Sequence, residues 1–255
     1  MKKLFIAILF VGLAVGTAQG VTSNPEAFET YALTDDFEEM SIGDGGAWYT
    51  GWFRFEVTGG LGIWEIIDDS PGNATQVYKH DNTTGWDTKS RWWGKVTDDL
   101  QVLQYDVMLA EASGYNRSMV TMGDYIDYWE YTGMTMLKKT DSVTEAILYS
   151  GGLDPLGDEA VMPGQSSVDY GVWYTVEMET DRINDQVRAR FGPTGGTMND
   201  WTGWIGYDPD YGVTPNFHSH GFSSTGEVHY DNISVGPVGG DCNPGDANND
   251  DVVSA

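Results

Sequence analysis

Gly171-Val-Trp-Tyr-Thr-Val-Glu-Met-Glu-Thr180 is the stretch that decides the fold. Val172, Tyr174, Val176 and Met178 fall at every second position, with Trp173, Thr175, Glu177 and Glu179 between them. Successive side chains of a strand leave on opposite faces, so a period of two marks a strand with one face toward a core and one toward water. A helix needs an apolar stripe sustained at intervals of three and four residues over several turns, and periodicity of that length is essentially absent from the chain. Leu100–Ala110 repeats the signature, with Leu103, Tyr105, Val107 and Leu109 on one face.

The same alternation predicts strands over Ala47–Val57, Ile63–Ile67, Gln76–Lys79, Arg117–Met122, Met134–Lys138, Ala146–Tyr149, Gln186–Phe191 and Glu227–Val235. Gly, Asn and Asp stand at the breaks, and 33 glycines punctuate the chain, which is how antiparallel strands are joined by tight turns. Ten strands without helical periodicity predict an all-β fold: a two-sheet antiparallel sandwich of the jelly-roll kind, with a closed barrel as the alternative. Gly236-Pro-Val-Gly-Gly240 reads as a linker by composition, so the sandwich is assigned residues 33–235 and the linker residues 236–240.

The first twenty residues obey a different rule. Lys2 and Lys3 precede an apolar run from Leu4 to Val15, and Gly16, Ala18 and Gly20 follow. Such a run is short for a bilayer span and ends as a cleavage region does, so residues 1–20 read as a secretory signal peptide and residues 21–32 as a lead-in. The expected location is extracellular or on the cell surface of a bacterium. With 13 Lys+Arg against 39 Asp+Glu the net charge is −26; loss of Lys2 and Lys3 with the signal takes it to −28. A surface of that sign repels nucleic acid and anionic membranes, and neither is an expected partner. Disorder is a poor alternative, because 40% hydrophobic and 13% aromatic residues are enough to build a core. The single cysteine, Cys242, lies beyond the sandwich, which therefore relies on its core rather than on disulfides.

Three segments carry a resemblance. Thr34-Asp-Asp-Phe-Glu38 opens the sandwich, Trp173-Tyr-Thr-Val-Glu-Met-Glu-Thr-Asp181 stands within it, and Val228-His-Tyr-Asp-Asn-Ile-Ser-Val235 closes it. In this order they resemble the concanavalin A-like, LamG-like jelly rolls of secreted bacterial proteins, over about residues 33–235. The resemblance implies that first and last strands meet at a structural calcium, with Asp36, Glu38 and Asp231 as ligands. Carboxylates gathered from two chain ends repel one another, and a hard cation turns that repulsion into a cross-link. The plainer reading is that Asp231 caps a turn and Glu38 is solvated. Residues 241–255 form a second calcium-type segment. Gly245-Asp-Ala-Asn-Asn-Asp-Asp-Val-Val-Ser-Ala255 resembles the opening of a type I dockerin repeat, with Asp246, Asn248 and Asp250 at alternate positions. Asp251 stands where such loops carry Gly, and the loop is incomplete, so a cohesin-like partner is implied only if the full-length protein completes the repeat.

Candidate chemistry rests mainly on aromatics. Ten tryptophans include the close pairs Trp92/Trp93 and Trp201/Trp204. A flat indole suits the apolar C–H face of a sugar ring, so these four are the candidate carbohydrate-binding residues, a polysaccharide the candidate ligand, and core filling the alternative. Retaining glycoside hydrolases of this fold class place two glutamates and an aspartate on one strand, with carboxyls about 5–5.5 Å apart. The chain lacks their E-x-D-x-E pattern. Glu177, Glu179 and Asp181 share a face, yet at positions where similar strands carry solvated residues. His218-Ser-His220 places two imidazoles on one face without a third ligand. The expectation is a secreted, non-catalytic, carbohydrate-binding or assembly module. A polysaccharide-degrading enzyme of the same fold and a structural or adhesive surface protein are the alternatives.

Overall fold

The computed structural model describes residues 33–35, 52–58, 63–81, 86–91, 99–123, 131–151, 157–209, 217–222 and 226–237. In chain order the strands are β1 (Leu33–Asp35), β2 (Trp52–Thr58), β3 (Ile63–Ile67), β4 (Val77–Asp81), β5 (Trp86–Arg91), β6 (Leu100–Leu109), β7 (Tyr115–Met122), β8 (Gly133–Thr140), β9 (Thr144–Ser150), β10 (Glu159–Val161), β11 (Trp173–Asp181), β12 (Gln186–Pro193), β13 (Ile205–Gly206), β14 (Phe217–Phe222) and β15 (Glu227–Pro237). A single 3-10 turn, Gln165–Ser167, is the one helical element among the described residues.

The strands form two antiparallel sheets. The first runs β13-β12-β11-β6-β15-β4-β3, with β1 added beside β15; the second runs β10-β9-β8-β7-β14-β5-β2. Neighbours far apart in sequence, such as β6 with β15 and β7 with β14, are the mark of a jelly roll rather than a meander. The sandwich replaces the barrel alternative, because each sheet ends in its own edge strands.

The core lies between the two sheets and is built from the alternation in the sequence. Leu103, Tyr105, Val107 and Leu109 of β6 are fully buried, as are Tyr174, Val176 and Met178 of β11. Val172, placed on the same face by the sequence, precedes β11 and is exposed. From the second sheet come Val120, Met122, Leu137, Ala146 and Leu148. Polar ties cross this core: the Tyr105 hydroxyl meets Thr135 Oγ1 at 2.7 Å, and the Tyr78 hydroxyl meets Ser219 Oγ at 3.3 Å. Each joins one sheet to the other and satisfies a hydroxyl that would be costly to bury alone. At Gly133 a Cβ would come within 2.8 Å of Met178 Sδ and 3.0 Å of Val187 Cγ2, so a larger residue would crowd the core.

Candidate functional site

The outer face of the first sheet carries the polar half of the alternation. Glu177 and Glu179 of β11 lie directly opposite Arg190 and Arg188 of β12. Arg190 Nε donates to Glu177 Oε2 at 2.5 Å; Arg188 reaches Glu179 Oε2 through Nε at 2.8 Å and Nη2 at 2.7 Å. After β12 the chain turns back along its edge, forming only the two-residue β13. Asn199 N donates to Phe191 O, Thr202 N to Ala189 O and Tyr207 N to Asp185 O, while Ala189 N donates to the buried Thr202 Oγ1. With Thr202 turned into the protein, the half-buried Trp201 and Trp204 come to the arginines. The Arg188 guanidinium lies 4.6 Å from the Trp201 ring centre and 4.4 Å from that of Trp204; Arg190 lies 4.3 Å from Trp201. The result is a ladder of contacts, Arg190–Trp201–Arg188–Trp204, anchored by two ion pairs.

This ladder shows what the two predicted tryptophans share. Sequence reasoning paired Trp201 with Trp204 but missed Arg188 and Arg190, although their spacing of two on a strand already placed them on one face. It also placed Glu177, Glu179 and Asp181 among solvated residues, whereas all three are engaged. The glutamates hold the arginines. Asp181 closes the β11–β12 turn, accepting from Ile183 N at 3.0 Å, Asn184 N at 3.1 Å, Asn184 Nδ2 at 2.7 Å and Gln186 Nε2 at 3.1 Å. The Asn184 side chain leads these bonds in holding the Asp181 carboxyl below the usual range. A general acid needs the opposite shift.

A second constellation gathers around Asp231. The first half of β15 pairs with β4 as far as Tyr230, and the second half pairs with β1 through Ile233, Ser234 and Val235. The handover occurs at a bulge between Asp231 and Ser234, where Asn232 takes a φ of 48°. Asn is among the few residues that adopt this left-handed conformation readily, which gives a physical reason for its place after Asp231. The Asn232 side chain donates to Asp106 Oδ2 at 2.9 Å, and its N–H donates to Asp231 Oδ1 at 2.8 Å. Asp231 Oδ2 accepts from Asn73 Nδ2 at 2.7 Å and Thr75 Oγ1 at 3.1 Å, which ties down the β3–β4 loop. Trp173 Nε1 reaches Pro71 O in the same loop at 2.8 Å.

Asp106 and Asp231 face each other across β6 and β15, with 5% and 2% of their surface exposed. Burial pushes the Asp231 carboxyl up to about 6, against the pull of its hydrogen bonds and with a further push from Asp106. Burial also raises Asp106, against donors on Thr175, Asn232 and Thr194. Two buried carboxylates side by side, with no cationic side chain bonded to either among the described residues, lack a counter-charge.

The architecture matches solved structures at low sequence identity. No protein-family model matches the chain, and no curated protein does. The globular domain of T. cruzi calreticulin is similar in structure at a TM-score of 0.53 and 12% identity, over 80% of this chain and 87% of that one. A cellulose-induced protein, Cip1, is similar at 0.50 and 12%, over 80% and 96%. A sialidase matches at 0.51 and 13%, over 83% of this chain and 19% of its own. The fold is a concanavalin A-like jelly roll.

Within this jelly roll the other predicted site residues divide clearly. β1 ends at Asp35, opposite Ile233 and two residues from Asp231, so first and last strands do meet where the calcium ligands were expected. Asp36 and Glu38 themselves lie outside the described residues, as do Trp92, Trp93, Asp246, Asn248 and Asp250. His218 pairs with Thr121 and Ser90 in the second sheet, on β14. β15 runs on to Pro237, two residues into the stretch assigned to the linker. Among the described residues no three metal-ligating side chains cluster.

Proposed function

We propose that the chain is a secreted, non-catalytic jelly-roll module that binds carbohydrate through the outer face of its first sheet. The observation that carries this reading is the Arg190–Trp201–Arg188–Trp204 ladder, which holds two indoles among hydrogen-bonding groups on a rigid sheet. Sugar recognition uses those two elements: an aromatic plane for the C–H face and forked donors or carboxylates for the hydroxyls. Because the ladder is anchored before any ligand arrives, little ordering entropy is lost on binding. The engagement of Glu177, Glu179 and Asp181 in ion pairs and a turn supports a binding role over a hydrolytic one. Cip1 and the sialidase carry names connected with carbohydrate, in agreement with the proposal. A glycan microarray probed with the mature protein tests it: binding to some glycan, weakened by Trp→Ala at position 201 or 204, is expected, and silence across the array refutes it.

Calcium at the strand junction is part of the same proposal. Asp231 and Asp106 offer hard oxygens and, among the described residues, have no cationic side chain bonded to them, which fits a divalent cation. Three of the lone-pair positions on Asp231 are taken by Asn73, Thr75 and Asn232, so a cation there would share or displace them and would draw further ligands from the Asp36–Glu38 segment. An ion bound only by the native state raises its stability, so the melting temperature should rise in millimolar calcium and fall in chelator. Equal melting temperatures in the two would remove calcium from the account.

A further inference from the structure

We infer that Trp204, rather than Trp201, is the ring that meets the ligand, and that the ligand is an uncharged polysaccharide. This rests on the carbohydrate-binding reading and narrows it.

The choice between the rings follows from how the ladder is filled. Trp201 is contacted by two guanidinium groups, Arg188 at 4.6 Å and Arg190 at 4.3 Å, so it is an interior layer. Trp204 ends the ladder and, among the described residues, stacks against Arg188 alone at 4.4 Å. Its backbone is fixed on both sides, by the Thr202 N–H bond to Ala189 O and by the pairing of Ile205 and Gly206 with Val187 and Gln186. A half-buried ring held by rigid backbone and backed by a guanidinium is a firm platform with low entropic cost on stacking.

The charge of the ligand follows from what surrounds that ring. The two arginines look like a site for a uronate or a sulfate, because the planar fork matches such groups. Both forks are already committed: Arg188 to Glu179, with Nε and Nη2 on one oxygen, and Arg190 to Glu177. The four charges cancel. The exposed Asp200 and Asp208 flank the segment, and the chain as a whole carries −26, so the surroundings are negative. Among the described residues an anionic polymer would meet here two arginines already paired with glutamates, and a repulsive field on approach. A neutral pyranose chain meets neither obstacle. It needs an apolar face for its C–H bonds and donors for its hydroxyls, and the guanidinium N–H groups not turned to the glutamates supply those donors.

The test is affinity electrophoresis of the mature protein through gels containing neutral polymers (a mixed-linkage glucan, a xylan, a galactomannan) or anionic ones (alginate, polygalacturonate, a carrageenan). Each gel is run at low and at raised ionic strength. Retardation by at least one neutral polymer, unchanged by salt, is expected. Trp204→Ala should weaken it about tenfold or more, and Trp204→Phe, which keeps a ring face, should retain most of it. Thermal melts of the variants establish that they fold; where Trp204→Ala does not, Trp204→Leu, which keeps apolar bulk without a ring face, takes its place and should lose the retardation that Trp204→Phe retains. Retardation by anionic polymers only, relieved by salt, overturns this inference while leaving carbohydrate binding in place. Neutral binding that survives Trp204→Ala overturns the assignment to this ring. No retardation in any gel overturns the carbohydrate-binding proposal and this inference with it.

Discussion

Removing the Arg188 guanidinium should expose how the outer face of the first sheet is held. In Arg188→Ala the Glu179 carboxylate loses its partner while its side chain is only 4% exposed. An uncompensated charge left at such a site costs about 3–5 kcal/mol. Loss of two cation–π contacts adds about 0.5–1 kcal/mol each. Against a typical total of about 5–15 kcal/mol this is a large share, and at roughly 2–4 °C per kcal/mol for a domain of this size it should lower the melting temperature by about 10–25 °C. The diagnostic comparison is with the double variant Arg188→Ala/Glu179→Gln. With the buried charge also gone, the loss should shrink to about 1–3 kcal/mol, about 3–4 kcal/mol less than for Arg188→Ala alone. Arg188→Lys should fall between, since a lysine restores the charge but not the plane that stacks on Trp201 and Trp204. Urea denaturation with unchanged m-values provides the measurement. If Arg188→Ala costs less than about 1 kcal/mol, or if the double variant is as unstable as the two single losses combined, the ladder is not a coupled unit and the reasoning fails.

Two further predictions concern the scaffold. Asp181→Asn should cost about 1–3 kcal/mol at neutral pH, because the carboxylate accepts four hydrogen bonds at the β11–β12 turn. Its folded pKa is depressed, so its stabilisation is present above the unfolded value near 4 and is lost as pH falls through the lower folded value. The gap between variant and wild type measured by denaturation should therefore narrow toward pH 3, and a gap independent of pH would contradict the assignment. Gly133→Ala should lose about 1–3 kcal/mol through overpacking against Met178 and Val187, with a smaller side chain at position 187 restoring part of it. An unchanged melting temperature would show that this contact can relax.

What the sequence reveals and what it hides follow from how far each signal extends. β6 and β11 are legible because their alternation runs for several residues against a core, and the faces it assigns to Leu103, Tyr105, Val107, Tyr174 and Val176 are the buried ones. β5 (Trp86-Asp-Thr-Lys-Ser-Arg91) lacks an alternating apolar set and passes for a loop, and β14 (Phe217-His-Ser-His-Gly-Phe222) shows only its alternating histidines, although both lie within the second sheet. The two-residue β13 and the three-residue β10 are too short to show a period at all. At the candidate site, Trp201 and Trp204 are visible as a pair, but their arginine partners sit on a different strand and only the fold of the edge segment brings them together. Asp231 is legible as a special position. Asp106 is not, because it reads as one more outward polar residue of β6 until the β6–β15 register sets it opposite Asp231.

The pairing of β1 with β15 also fixes how the domain would respond to being pulled. Leu33 lies opposite Val235, so the chain enters and leaves the sandwich at the same end of one antiparallel pair. Tension between the segment before Leu33 and the segment after Pro237 would open this pair like a zipper, one rung at a time, instead of loading every rung together as in shear. The three residues of β1 form the first to yield, while β15 stays clamped between β6 and β4 along its first half. A tether attached at both ends would therefore extend at low force before the core is disturbed, and single-molecule stretching should record that early step as separate from the main unfolding event.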